Sequence, residues 1–249
     1  MENKLKLVDI HTHLLFEIDD GAEDIEESMQ MIEMWIKQGV NAVVATPHFD
    51  IKKDNRALFL QQREKAVSAL RLEIANRGLD FSIKTSAELY FRRELIYEDL
   101  TPFLVEGTDY LIIELPTRTV PSQIKSTFEE LIIQGYNPIL VHIERYSILK
   151  QDLELFYDLV DMGVACQVNA ETFIASKDSF VKAAVKKNFV HLTGSDAHGM
   201  SRRKPNLNEG LDLCGEKEKF NYNAQCIFNN VAIDTRPTSR IKKVFNRYF

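Results

Sequence analysis

Short apolar runs alternate along this chain with longer amphipathic stretches, and that alternation leaves few folds open. The runs Leu5–Ile10, Ala42–Ala45, Phe81–Thr85, Tyr110–Glu114, Ile139–Val141, Ala165–Val168 and Val190–Leu192 read as strands. Between them, apolar residues recur at helical spacing over Ile25–Gln38, Arg56–Arg77, Pro121–Gln134, Leu153–Met162 and Phe180–Lys187, with two more helices predicted over Leu207–Cys214 and Tyr222–Asn229. Gly39, Gly78, Gly135 and Gly163 each follow a helical stretch and precede a strand, the position at which a left-handed residue ends a helix. Strand–helix repetition of this kind predicts a parallel sheet with crossover helices. With 249 residues and no linker, low-complexity segment or internal repeat, we expect one α/β domain over 1–249, closed or nearly closed as a barrel.

The ends of the apolar runs carry the chemistry. His11 and His13 close the first run, and residues two apart in a strand share a face, so both imidazoles can reach one ion. Asp9 has the same parity and is placed to support a histidine as an outer acceptor. His48, Glu88, Glu114 and His142 end four further runs, and Asp196 and His198 follow the last. A buried carboxylate needs a partner, either a metal or an arginine. Each signal is weak alone: a single His-x-His or Ser-Asp-x-His is often incidental, and Asp19-Asp20-Gly21 also reads as a turn with helix-capping acids. Together they are a mixed imidazole and carboxylate set, which suits Mn, Fe or Zn. His191 falls inside a run and reads as a core or supporting residue. Arg145 lies three residues after His142, and Arg202 and Arg203 follow His198; guanidinium forks match phosphate oxygens. The plainer alternatives are an Arg145–Glu144 ion pair and a solvated basic loop over Arg202-Arg203-Lys204.

Other classes find little support. A net charge of −6 argues against broad nucleic-acid binding. No segment approaches the roughly 18 apolar residues of a membrane span, and the apolar start is too short for a secretory signal, so a soluble cytoplasmic protein is expected. Cys166, Cys214 and Cys226 form no Cys-x-x-Cys and read as reduced thiols, two of them buried. A cysteine-dependent phosphatase needs an arginine six residues after its nucleophile, where this chain has Thr172, Phe220 and Ala232. There is no P-loop, Gly-x-Ser-x-Gly or dinucleotide-binding glycine fingerprint.

From Val8 to about Pro205 the chain resembles the polymerase-and-histidinol-phosphatase (PHP) superfamily of metal-dependent hydrolases. It is most similar to the manganese-dependent bacterial protein tyrosine phosphatases that regulate capsular and exopolysaccharide synthesis. The resemblance rests on Asp9-Ile10-His11-Thr12-His13, Asp19-Asp20-Gly21-Ala22, Ala87-Glu88-Leu89-Tyr90, Ile113-Glu114, Val141-His142-Ile143-Glu144-Arg145-Tyr146 and Ser195-Asp196-Ala197-His198. It implies a distorted (β/α)7 barrel of the PHP type holding up to three ions, Mn2+ foremost, with Fe or Zn as alternatives. By that analogy His11, His13, Glu88 and Asp196 hold one ion, Glu88, Glu114 and His142 a second, and Asp20, His48 and His198 a third. Many superfamily members have a histidine where Asp20 stands; the aspartate is a mark of the tyrosine phosphatases. Arg145 matches the phosphate-contacting arginine, and Arg203 fits the second better than Arg202 by its distance from Asp196. His48 or a water would supply the proton to the leaving group.

The resemblance implies hydrolysis of phosphotyrosine by metal-activated hydroxide. The substrate would be the tyrosine-rich tail of a bacterial tyrosine kinase at the membrane, with no membrane insertion or nucleic-acid partner for this chain. Some members form rings, which leaves a homo-oligomer open. The rivals are a PHP phosphoesterase on a small phosphate such as histidinol phosphate, a PHP exonuclease or phosphodiesterase, and a non-catalytic metal-binding protein that docks a kinase. An amidohydrolase shares the His-x-His and late Asp but orders its ligands differently.

Overall fold

Strand β1 (Leu7–Thr12) opens the structure, which is a computed structural model describing residues 6–117, 121–175, 178–244 and 247–248. Leu5, where the first strand was expected to begin, lies outside the described residues. Helix α1 (Ile25–Lys37) is capped by Asp24, whose carboxylate accepts the Glu27 N–H (2.8 Å). It buries Ser28, Met31, Ile32 and Trp35, spaced to fall on one face. The chain continues through β2 (Val40–Ala45), β3 (His48–Phe49), α2 (Arg56–Asn76), β4 (Ser82–Thr85), β5 (Glu88–Tyr90), β6 (Tyr110–Glu114), α3 (Ile124–Ile133) and β7 (Asn137–Leu140). Then come α4 (Ser147–Gln151), α5 (Leu153–Asp161), β8 (Ala165–Asn169), α6 (Ala170–Ala175), α7 (Ser179–Lys186) and β9 (Leu192–Gly194). Helices α8 (Leu207–Cys214) and α9 (Lys217–Phe228) precede a small antiparallel pair, β10 (Lys243–Val244) and β11 (Arg247–Tyr248).

The fold is a mixed α/β one with a curled parallel sheet. Strands β1-β2-β4 form one parallel set and β3-β5-β6-β7-β8-β9 another. The two sets are continuous in the chain. Pro47, with no N–H to donate, interrupts the ladder between β2 and β3, and Ser86-Ala87 separates β4 from β5. Ser86 N–H to Ala45 O (2.8 Å) and Glu88 N–H to Pro47 O (2.9 Å) carry the pairing across these gaps. At the other edge the segment after β9 returns to β1, through Asp196 N–H to His11 O (2.9 Å) and His13 N–H to Ala197 O (2.8 Å).

Alternation along the strands places the site. One apolar cluster gathers Ile10, Val44, Ile112, Ile139, Ala165 and Leu192 with Ile227 and Phe228 of α9. On several strands the same face then turns polar towards the C-terminal end: Ile112 is followed by Glu114, and Ala165 by Gln167 and Asn169. The curl is therefore apolar at one end, where α9 packs, and polar at the other. A second and larger cluster lies between strands and helices and includes Trp35, Phe103, Phe128 and Phe156. Among the described residues no helix is long and apolar enough to cross a membrane.

Several boundaries differ from expectation. α3 begins at Ile124 rather than Pro121 because Gln123 sits in the left-handed region (φ 68°). α9 starts at Lys217, five residues before the predicted Tyr222, because Phe220 joins Ala224 and Ile227 on its buried side. The last parallel strand covers Leu192–Gly194 rather than Val190–Leu192, although His191 N–H still bonds Cys166 O (2.9 Å). β3, β5, α4, α6 and the β10–β11 pair are too short to show a period. Gly39, Gly78, Gly135 and Gly163 all have positive φ, as their helix-ending positions require.

Candidate metal centre

The curl gathers all nine predicted ligand residues at its polar end: His48 and Glu88 open the short strands β3 and β5, Asp20 comes from the loop after β1, and the others lie at or just beyond strand ends. Glu88 is the hub and is fully buried. Its carboxylate lies 3.1 Å from His11 Nε2, 3.2 Å from His13 Nε2, 3.2 Å from His48 Nδ1 and 2.6 Å from His142 Nε2. Glu114 approaches His48 Nδ1 (3.5 Å) and His142 Nε2 (3.8 Å). Asp196 Oδ1 faces His11 (3.7 Å), His13 (3.4 Å) and His198 Nδ1 (3.5 Å). Asp20 Oδ1 stands between His48 Nε2 (3.7 Å) and His198 Nε2 (3.4 Å).

Three overlapping groups have ligand atoms within 4.8 Å of one another: His11, His13 and Glu88; His48, Glu88 and Glu114; and His13, Asp20, His48 and His198. This arrangement differs in detail from the sets drawn by analogy. His13 also belongs beside Asp20 and His198, and His48 reaches towards Glu114 as well as Asp20.

The donor chemistry fits divalent cations. His13 Nε2, His48 Nδ1 and His198 Nε2 are buried without a hydrogen-bond partner. Buried polar atoms are seldom left so, and these aim into a space ringed by carboxylates. Burial alone would raise the Glu88 carboxyl, but the imidazoles of His11, His13 and His142 hold it well below the ordinary range. Burial and then the Glu88 charge push Glu114 up to about 8. Burial, reinforced by His13, pushes His198 down to about 3. A cation among them would relieve the crowding of these carboxylates and imidazoles.

Other residues hold this set in place. His13 Nδ1–H donates to Asp19 (2.6 Å), which also accepts from His48 N–H (2.9 Å) and Gly21 N–H (2.9 Å). That turn needs glycine: a Cβ on Gly21 would stand 2.3 Å from the His13 carbonyl oxygen. Tyr146 Oη lies 2.8 Å from His142 Nδ1 and accepts from Leu115 N–H (2.9 Å). Gln167 Oε1 accepts the His142 N–H (2.7 Å), and Asn169 Nδ2 donates to Asp196 Oδ2 (2.8 Å). Sequence reasoning assigned no site role to Asp19, Tyr146, Gln167 or Asn169. The available signal was polar side chains inside or beside apolar runs.

Asp9 corrects an expectation. It touches no imidazole; it accepts from Ser195 N–H (3.0 Å), His11 N–H (3.4 Å) and the Trp35 indole (3.0 Å) and so braces the backbone. His191 is a core residue, as read: Nδ1 accepts from Cys166 N–H (2.9 Å), and Nε2 faces Asn188 O and Thr235 O (both 3.1 Å). All three cysteines are buried, one more than expected. The Cys166 thiol is pushed up by burial and is a poor nucleophile.

Arg145 turns to Asp196 Oδ2 rather than to its neighbour Glu144. Glu144 instead accepts from Asn169 N–H (3.2 Å) and Thr172 Oγ1 (3.3 Å). Arg203, at φ 45°, also reaches Asp196 Oδ2 (3.1 Å). Arg202 bonds Asp20, through its carbonyl (2.7 Å) and carboxylate (2.9 Å), and Arg203 approaches the same carboxylate at 3.6 Å. The two arginines chosen from sequence thus converge on one carboxylate at the edge of the cluster.

Fold and site together define an α/β protein with a histidine–carboxylate cluster suited to divalent metal and flanked by paired arginines. The chain belongs to the CpsB/CapC family of capsular polysaccharide synthesis, whose model matches residues 7–233. It is 28% identical to tyrosine-protein phosphatase YwqE of Bacillus subtilis (strain 168), across 95% of this chain and 97% of that one. It is 29% identical to tyrosine-protein phosphatase CpsB of Streptococcus agalactiae serotype V, across 90% of this chain and 99% of that one. A crystal structure from work on YwqE of Bacillus subtilis and CpsB of Streptococcus pneumoniae, described as unique metal-dependent tyrosine phosphatases, superposes with a TM-score of 0.81. It has 26% identity and covers 94% of this chain and all of that one.

Proposed function

We propose that this chain is a metal-dependent tyrosine-protein phosphatase, a cytoplasmic one, acting on the phosphotyrosine tail of a bacterial tyrosine kinase linked to capsule synthesis. The observation that carries this reading is the meeting of Arg145 and Arg203 at Asp196 beside the Glu88-centred cluster. A cation site with paired guanidinium forks matches a phosphomonoester better than an amide or a sugar. Relatives named as tyrosine phosphatases across nearly their whole length support it. Counting β2 with β3 and β4 with β5 as interrupted strands gives seven, and we read the fold as one distorted (β/α)7 barrel of the PHP type over residues 1–249.

The residues divide the work. His11, His13, Glu88 and Asp196 would hold one ion. Glu88 would be shared with a second held by Glu114 and His142, and Asp20, His48 and His198 would hold a third, with His13 close by. The lack of thiolates favours Mn2+ over softer ions. Such ions, when bound, polarise phosphate oxygens and acidify water. Arg145 and Arg203 would leave Asp196 for the non-bridging phosphate oxygens, stabilising charge as it redistributes. His48 is the half-exposed imidazole of the cluster, with 39% of its side chain accessible, and either it or a water would hand a proton to the leaving oxygen. A phenolate leaves with a pKa near 10, so this help is less critical than for an alkyl phosphate.

Substrate profiling tests the assignment. Purified protein with Mn2+ should hydrolyse a phosphotyrosine peptide with kcat/KM well above that for histidinol phosphate. A preference for histidinol phosphate would move the assignment to a small-molecule phosphatase. Tight binding of the peptide without turnover would make the chain a docking protein.

A further inference from the structure

With β2 and β3, and β4 and β5, counted as single interrupted strands, β8 alone among the described strands of the curl carries no candidate ligand at or just after its end, yet it lies between two that do: β7, followed by His142, and β9, followed by Asp196. In place of ligands β8 carries two buried amides, Gln167 and Asn169, on one face. Gln167 Nε2 donates to Asn169 Oδ1 (2.9 Å). Each amide then reaches across to a flanking candidate ligand. Gln167 Oε1 accepts the His142 N–H (2.7 Å), and Asn169 Nδ2 donates to Asp196 Oδ2 (2.8 Å). Both ligands occupy left-handed backbone, His142 at φ 38° and Asp196 at φ 52°. Residues other than glycine keep such a conformation only where their surroundings hold it.

The direction of this chain of bonds is fixed by chemistry. A backbone N–H can only donate, so Gln167 must present its oxygen to His142. Its NH2 group then faces Asn169, which must present oxygen in turn. The Asn169 NH2 is left for an ionised carboxylate, which can only accept. The Gln167 oxygen also faces His11 Nδ1 (3.5 Å), so the pair is oriented by His142 and Asp196 at its ends and touches a third candidate ligand beside it.

Asp196 Oδ2 is crowded: Arg145, Arg203 (3.1 Å) and Asn169 (2.8 Å) all point at one oxygen with two lone pairs. The arginine side chains are 37% exposed, whereas Asn169 is 5% exposed. The exposed donors have solvent to turn into, whereas the Asn169 amide is held at both ends by Gln167 and Asp196. We propose that Gln167 and Asn169 are positioning residues, with Asn169 holding Asp196 Oδ2 after both arginines have left it. Oδ1 then stays directed at His11 and His13, 3.7 and 3.4 Å away. This role rests on the phosphatase reading above.

The test compares Asn169→Ala and the near-isosteric Gln167→Glu with Val168→Ala. Val168 is buried on the other face of β8, so its truncation loosens the strand without touching the relay. Each protein is melted without metal, titrated with Mn2+ by calorimetry, and assayed at saturating Mn2+. Asn169→Ala should bind Mn2+ about 10–100-fold more weakly, the scale for losing a partner behind a ligand, and should lose kcat with KM within about threefold. Gln167→Glu should shift both in the same direction, because a carboxylate cannot donate to Asn169. Val168→Ala should melt lower yet keep wild-type affinity. If Asn169→Ala does not fold, Asn169→Ser serves in its place with the same expected result. Wild-type Mn2+ affinity and kcat in a folded Asn169 variant, or an equal affinity loss in Val168→Ala, would overturn the role. Failure of the wild type to bind Mn2+ or hydrolyse phosphotyrosine would instead overturn the phosphatase reading.

Discussion

Removing the Asp19 carboxylate should weaken metal binding while leaving every proposed ligand in place. Asp19 holds three donors: the imidazole of His13 at 2.6 Å and the N–H groups of His48 and Gly21, both at 2.9 Å. Burial would raise this carboxyl, but the charge and hydrogen bond of His13 draw it far below the usual range. Such a carboxylate fixes the histidine's tautomer and makes its Nε2 a better ligand. Loss of a partner of this kind costs about 10–100-fold in metal affinity, or roughly 1.4–2.8 kcal/mol at 1.4 kcal/mol per tenfold. Asp19→Ala removes all three bonds and belongs near the upper figure. Asp19→Asn keeps an oxygen for His13 and His48 but turns an NH2 towards the Gly21 N–H, so it belongs near the lower one. Calorimetric titration of metal-free protein with Mn2+ reads the affinity, and melting of the same samples separates lost binding from lost folding. Wild-type affinity in both folded variants would refute the idea that Asp19 sets His13.

Two further outcomes follow from the geometry. Arg145→Ala should lower kcat/KM on a phosphotyrosine peptide by roughly 10²–10³-fold, the scale for one preorganised charge-stabilising donor, with Mn2+ stoichiometry unchanged; steady-state kinetics and metal analysis of one sample check this. His191 should make the fold acid-sensitive: burial holds its imidazole down to about 4, so the unfolded chain binds the extra proton first and stability falls as pH drops from about 6.5 towards 4. The full loss is ~3 kcal/mol for a shift of that size, and denaturant melts across this range should show a shallower slope for His191→Gln.

Much of the site was legible because chemistry in a parallel α/β fold gathers at strand ends. Glu114 and the His11–His13 pair follow from a two-residue period and a place in the chain. Adjacent acids are harder to separate. Asp19 turns inward to His13 while Asp20 faces His48 and His198, and only the Gly21 turn decides which does which. Arg145 lies beside the cluster, but its partner was not readable, because Asp196 is brought to it by the closing of β9 towards β1. Gln167 and Asn169 were hidden for a related reason. An amide in an apolar run has no meaning until the flanking strands supply the atoms it bonds. The short strands β3 and β5 fell below any period, although they position His48 and Glu88.

Catalysis by cations held at the Glu88-centred cluster makes activity depend wholly on bound metal. The most direct measurement is phosphate release from a phosphotyrosine peptide by protein stripped with chelator, dialysed free of it, and then titrated with Mn2+. Activity should vanish on stripping and return as Mn2+ is added, in step with the bound metal, and it should not return in His142→Ala. Full activity after prolonged exposure to excess chelator would contradict the account.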